Sequence, residues 1–184
     1  MQFLLEYIKH PSKIGAVAPS SRYLAKKMVE DVRFHECDCI IEYGPGTGVF
    51  TEEIVLSKKE DTILLVIEQN EQFYKVLKER YSNKKNVYVI HGDASDVLKY
   101  MKSHEIPQAD YIISGLPFTS LPAGVSKKIF HATQKAIGSQ GRFITFQYTL
   151  LKKKIFQRWF HIEHMAFELK NFPPAYVLTM KNGY

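Results

Sequence analysis

Cysteine, tryptophan and long apolar runs are what this 184-residue chain has least of. It holds two cysteines and one tryptophan, and its longest purely apolar run is Ile63 to Ile67. A helix that crosses a bilayer needs ~20 apolar residues, so no membrane span is expected. Cys37 and Cys39 stand two apart on what reads as a strand, where both side chains point the same way; that argues against a disulfide, and C-x-C alone is not a zinc site. His91, His131, His161 and His164 show no ligand spacing with neighbouring acids, so no metal is expected. The start, MQFLLEYIKH, carries Glu6 and Lys9 inside its apolar stretch and lacks a small-residue cleavage site, unlike a signal peptide. A reduced, cytoplasmic setting is the expectation. No repeat, low-complexity tract or Gly/Ser/Pro linker divides the chain, so 1–184 reads as one domain, with 1–35 as an N-terminal helical segment.

Against those absences stands an excess of positive charge. Twenty-five Lys and Arg face nineteen Asp and Glu, a net +6. Such a balance favours anionic partners, whether RNA, DNA or an anionic membrane, although a solvated mixed-charge surface produces the same count. Five cations, Lys9, Lys13, Arg22, Lys26 and Lys27, fall within residues 1–28 against Glu6 alone. After Pro19, Ser20 or Ser21 is placed to cap a helix. On that helix Leu24, Ala25, Met28, Val29 and Val32 gather on one side and Arg22, Lys26 and Lys27 on the other. Two faces of that kind suit either a helix packed on a sheet or one lying in a membrane interface. A second basic cluster, Lys152, Lys153, Lys154 and Arg158, surrounds Phe156, Trp159 and Phe160.

Strand-like and helix-like stretches alternate through the middle. CIIEYG (39–44), TILLVIE (62–68), VYVIHGD (87–93), ADYIISG (109–115) and RFITFQY (142–148) read as strands, with helices near 48–58, 71–82, 95–102 and 122–137. Strands alternating with helices mean a parallel, doubly wound sheet. The end breaks that rhythm: FHIEHMAFELKN (160–171) and AYVLTMKN (175–182) have only Phe172-Pro173-Pro174 between them, which makes an antiparallel hairpin. The expected fold is therefore α/β, a doubly wound, mostly parallel seven-stranded sheet with an antiparallel C-terminal hairpin.

Glu42-Tyr43-Gly44-Pro45-Gly46-Thr47-Gly48 joins the first strand to the first helix that follows it. A nicotinamide-type G-x-G-x-x-G turn would need glycine or alanine at position 49, which is Val. The spacing acidic-x-G-x-G-x-G resembles instead the first motif of class I S-adenosylmethionine-dependent methyltransferases. That resemblance implies a Rossmann-like fold with S-adenosylmethionine as cofactor. It places Glu42 near the cofactor's ammonium, Glu68 on its ribose hydroxyls and Asp93 on its adenine amine. It assigns cofactor binding to Glu42, Tyr43, Gly44, Gly46, Gly48, Glu68, Asp93, Ala94 and Ser114. Three carboxylates at successive strand ends also fit a non-catalytic nucleoside-binding domain, which would bind the cofactor without turning it over.

Two finer resemblances concern the methyl acceptor. Ser114-Gly115-Leu116-Pro117-Phe118 resembles the Asn-Leu-Pro-Tyr/Phe loop of ribosomal RNA adenine dimethylases, with Gly115 where that family has its asparagine. KHPSKIGAVAPSSRYLAKKM (9–28), EYGPGTGVFT, SGLPFTSLP, FQYT and NFPPAYV, in that order, resemble bacterial phospholipid N-methyltransferases. The second resemblance implies methylation of a phosphatidylethanolamine-like amine by a protein peripheral on the inner face of the membrane. The first keeps RNA as the alternative partner. Methyl transfer to an amine asks the protein to position the nucleophile and strip water from it. Gly115, Leu116, Pro117, Phe118 and Tyr148 are the expected catalytic residues: backbone carbonyls and Tyr148 as acceptors, Phe118 as a cation–π partner. Lys9, Lys13, Arg22, Lys26 and Lys27 are the expected anion or membrane surface.

Overall fold

CIIEY and ILLVIE show no polar–apolar alternation because both faces of their strands are covered. In the structure, a computed structural model describing residues 20–183, β1 (Cys39–Tyr43) is buried along its whole length and β2 (Ile63–Glu68) along all but its first residue. β3 (Val87–His91), β4 (Tyr111–Ser114) and β5 (Arg142–Gln147) extend the sheet in parallel. β6 (Phe160–Glu168) and β7 (Ala175–Asn182) close it, and β7 inserts antiparallel between β5 and β6. The order β3-β2-β1-β4-β5-β7-β6 is the doubly wound, seven-stranded sheet expected.

Helices α1 (Arg22–Val29), α2 (Val49–Ser57) and α3 (Glu71–Arg80) cover one face. There Leu24, Met28, Phe50, Ile54 and Leu77 meet Ile40, Leu64, Val66, Ile113 and Ile144. On the other face α4 (Val97–Ser103), α5 (Ala123–Ile137) and the short α6 (Lys153–Gln157) pack Met101, Ile129, Phe130 and Phe156 on Ile41, Tyr43, Leu65, Ile67 and Phe143. Chain leaving β1 and chain leaving β4 thus go to opposite faces. That divergence opens a crevice at the carboxyl ends of the strands, the usual ligand site of open α/β sheets.

Two expectations change at this level. Ser21 does cap α1, accepting from Leu24 N–H at 3.1 Å, but the apolar side of that helix is buried against the sheet. Each such side chain contributes ~1.5–3 kcal/mol by burial, so the helix does not give up that face to lie in an interface. Arg22 and Lys26 stay exposed, while Lys27 pairs with Glu30 at 2.8 Å. Lys9 and Lys13 lie outside the described residues. Secondly, Cys37 and Cys39 do not face the same way. The strand begins only at Cys39, so Cys37 joins the α1–α3 core and Cys39 the opposite one. Both are free thiols that burial pushes up to about 12.

Candidate functional site

The glycine turn after β1 is held open by backbone that only glycine adopts easily. Gly44, Gly46 and Gly48 have φ of +59°, +55° and +84°. A Cβ on Gly44 would lie 2.6 Å from the Leu116 side chain, whereas one on Gly46 would project into open space. That space is room for a ligand to approach the turn's backbone. Glu68, at the end of β2 and 3% exposed, clamps the turn from beneath. Its Oε2 accepts from Gly46 N–H at 3.1 Å and its Oε1 from Asn70 N–H at 2.7 Å. Burial raises its pKa, and those amides oppose the rise. Each oxygen keeps a further lone pair for a ligand hydroxyl.

Asp93 stands just beyond β3. Its Oδ1 accepts from Ser95 N–H at 2.8 Å and its Oδ2 from the Gln69 amide at 3.3 Å. Gly44, Glu68, Gln69, Asp93 and Ala94 line one side of a cleft of about 250 Å³; Leu116, Leu121, Pro122, Val125 and Ile129 line the other. Glu42 lies deeper, fully buried. Thr51 Oγ donates to its Oε2 at 2.6 Å, and Oε1 has no hydrogen-bond partner. Burial pushes its carboxyl up to about 8, with the Thr51 hydrogen bond opposing the rise. A carboxylate with an unsatisfied buried oxygen suits a cationic group, and a glycine cradle flanked by strand-end carboxylates suits a nucleoside. The residues present therefore fit S-adenosylmethionine.

The expected acceptor residues are distributed less evenly. Ser114 is buried, and its Oγ accepts from Leu116 N–H at 3.2 Å, which shapes the loop rather than the cleft lining. Tyr43 is buried in the α4–α5 core, where its hydroxyl accepts from Thr133 Oγ at 3.4 Å. A Cβ on Gly115 would stand 2.6 Å from the Gly44 carbonyl oxygen, so the two loops touch through backbone there. Phe118 is 2% exposed, its ring centroid 4.6 Å from that of Phe130 and 5.8 Å from that of Phe156. That placement gives its ring a packing role beside the cleft and leaves it outside the cleft lining. Tyr148 packs beside Phe146, with centroids 5.4 Å apart, toward the α1–α3 core and also outside the cleft lining. Sequence reasoning missed Thr51, Gln69 and the Leu121–Ile129 wall. On that wall Val125 is 37% exposed and Ile129 is buried.

Comparison with known proteins bears on the same region. Residues 20–161 match the family model described as ribosomal RNA adenine dimethylase. The ornithine lipid N-methyltransferase of Singulisphaera acidiphila is 31% identical over 175 residues, covering 94% of this chain and 91% of that protein. Ribosomal RNA small subunit methyltransferase A of Thermotoga petrophila is 29% identical over 128 residues, and the match spans 45% of its length. Among solved structures, the N-methyltransferase NodS of Bradyrhizobium japonicum, in complex with S-adenosyl-L-homocysteine, aligns with a TM-score of 0.67 at 11% identity. That alignment covers 88% of each chain. TrmN of Thermus thermophilus aligns with a TM-score of 0.71 at 12% identity, over 97% of this chain and 53% of that one. Both structures share the fold.

Proposed function

The chain belongs to the ribosomal RNA adenine dimethylase family of S-adenosylmethionine-dependent methyltransferases, and from that premise we propose that it methylates the amine of a lipid headgroup. The observation that carries this reading is the contact at Gly115. Dimethylase-type loops resemble this one but carry an asparagine, and here a side chain at that position would collide with the Gly44 carbonyl. An acceptor amine then has backbone and an apolar wall to meet, with no amide side chain to grip a base edge. The match to an ornithine lipid N-methyltransferase over 94% of this chain and 91% of that protein supports the same class of acceptor. Leu151, 91% exposed and next to Lys152, Lys153 and Lys154, supports approach to an anionic lipid surface. Among the described residues no helix is long and apolar enough to cross a membrane, so the lipid would be reached from outside the bilayer.

When bound, the cofactor supplies an already activated sulfonium methyl. The protein's share is placement and exclusion of water. Glu68 and Asp93 offer their remaining lone pairs to ribose hydroxyls and to the adenine amine, and the Gly44–Gly48 turn lets the ligand reach backbone. Glu42 supplies negative charge beneath that turn. Leu116, Leu121, Val125 and Ile129 keep water from the reacting amine. An amine of pKa ~10 arrives mostly as ammonium and has to lose a proton before attack. The Leu116 carbonyl accepts from Phe118 N–H and keeps a second lone pair that can hold the amine. With no carboxylate on the Leu116–Ile129 side of the cleft, on this reading the ammonium gives up its proton to solvent before the amine enters.

The test is direct. Protein and methyl-labelled S-adenosylmethionine are incubated with anionic liposomes containing ornithine lipid or phosphatidylethanolamine, and separately with ribosomal RNA. Label in the lipid fraction is expected; label in RNA alone would move the chain to base methylation.

A further inference from the structure

A second cavity, about 540 Å³, opens beside the cofactor cleft. Leu121 lines both, so the two meet at that residue. Phe118 and Phe130, both buried, close the inner side of the cavity, and Ile155 and Trp159 form an apolar wall. Into this apolar slot comes Ser126 of α5, 4% exposed, whose hydroxyl has no hydrogen-bond partner. A buried hydroxyl left unpaired is costly, and a polar atom of a ligand in the slot would satisfy it. Lys127, Lys152 and Arg158 also line the cavity, and no acid does. Among the described residues none of the three forms an ion pair. Lys152 donates to the Thr119 carbonyl at 2.7 Å, which anchors its charge over the loop that follows β4.

Apolar walls, one unpaired hydroxyl and three uncompensated cations describe a receptor for an amphiphile. We propose that this cavity binds the anionic end and adjoining acyl chain of the lipid whose amine is methylated. The chain lies along Ile155 and Trp159, and its ester or amide carbonyl accepts from Ser126. A carboxylate or phosphate sits among Lys127, Lys152 and Arg158, and the amine reaches past Leu121 into the cofactor cleft. The inference rests on the lipid reading above and adds a site to it. A nucleic acid would put phosphates on the cationic rim but has nothing to place in the slot.

Trp159 is the chain's one tryptophan and lines the slot, so its fluorescence reports occupancy without any turnover. The full chain is titrated with dodecyl phosphate and with N-dodecanoylglycine, both below micelle formation, and with neutral dodecyl maltoside. A saturable blue shift is expected with the anionic amphiphiles, and the stronger of the two identifies phosphate or carboxylate as the preferred group. Lys127→Glu with Arg158→Glu, both exposed, should weaken the midpoint at least tenfold. Ser126→Ala should weaken it a few-fold, and S-adenosylmethionine binding by calorimetry should stay within twofold in both variants. Emission that ignores the anionic probes, responds equally to the maltoside, or moves only with an RNA hairpin overturns the site. Saturation by anionic amphiphiles without methylation of any aminolipid would keep the site and sink the lipid reading. Aminolipid methylation unchanged in the double charge reversal would do the opposite.

Discussion

The two sides of the crevice hold their shape by different means. On the β1–β3 side the site is anchored by polar contacts: Glu68 ties Gly46 and Asn70, Asp93 ties Ser95 and Gln69, and Thr51 ties Glu42. On the β4–α5 side it is shaped by packing. Gly115 touches Gly44 through backbone, Phe118 sinks into a phenylalanine cluster, and Leu121 and Val125 face the cleft from loop and helix. A hydrogen-bonded carboxylate keeps its place while its surroundings vary, and so it suits an invariant cofactor. A packed wall can be re-cut by changing one side chain, and so it suits a variable acceptor. One cofactor side with two expected acceptor classes follows from that division.

The polar side is most sharply tested at Glu42. Its folded pKa of about 8 lies above the ordinary 4.5, so its stability contribution is complete at low pH and is lost as pH rises through about 8. At ~1.4 kcal/mol per pH unit the whole displacement corresponds to at most ~5 kcal/mol. Cofactor-free protein should therefore melt at lower temperature at pH 9 than at pH 5, and Glu42→Gln should flatten that slope. Cofactor binding at pH 7 should release protons, detectable by calorimetry in buffers of different ionisation enthalpy. Uptake of protons would place the ammonium elsewhere.

The packed side is tested at Gly115. Gly115→Asn restores the dimethylase-type residue at the cost of a backbone clash, so a loss of ~3 kcal/mol in stability is expected, the upper end for overpacking. Methyl transfer should fall at least a hundredfold. If the variant folds as well as wild type and gains activity on RNA, the packed loop is not what excludes a base. Glu68→Ala should weaken cofactor binding ten- to a hundredfold, ~1.4–2.7 kcal/mol, because ribose hydroxyls and the Gly46 amide all lose an acceptor. Dodecyl phosphate binding, read at Trp159, should not change; if it does, the two sides are coupled. The smallest effect is expected at the surface of α1. Arg22→Ala and Lys26→Ala should each remove up to ~1 kcal/mol of affinity for anionic liposomes at low salt. Lys27→Ala should remove less, since that charge is shared with Glu30.

Legibility in the sequence follows the same division. The cofactor side could be read because its geometry is local: the glycines and Glu42 share one turn, and Glu68 and Asp93 each end a strand that its own apolar run announces. Thr51 was missed because a buried threonine in a helix looks like filler until the carboxylate it serves is seen beside it. The direction of the Phe118 ring is not legible, because a phenylalanine after Leu-Pro carries no mark of which way it turns; Phe130 and Phe156, far along the chain, decide that. The apolar stripe of α1 fits both a sheet and a membrane, and only contact with Ile40 and Ile144 in one core separates them; Val32, expected on the same helix, lies beyond its end at Val29 yet joins that core.

From its residues alone this chain is committed to an alternating α/β sheet, to the late hairpin and to a glycine turn flanked by carboxylates. Hydrophobic period and turn chemistry act over a few residues and therefore survive in the linear order. Tertiary structure alone decided that Gly115 has no room for a side chain, that Leu121 lines two cavities, and that Ser126 and three cations meet in one of them. Those are facts of distance between segments separated along the chain, and no local pattern encodes them.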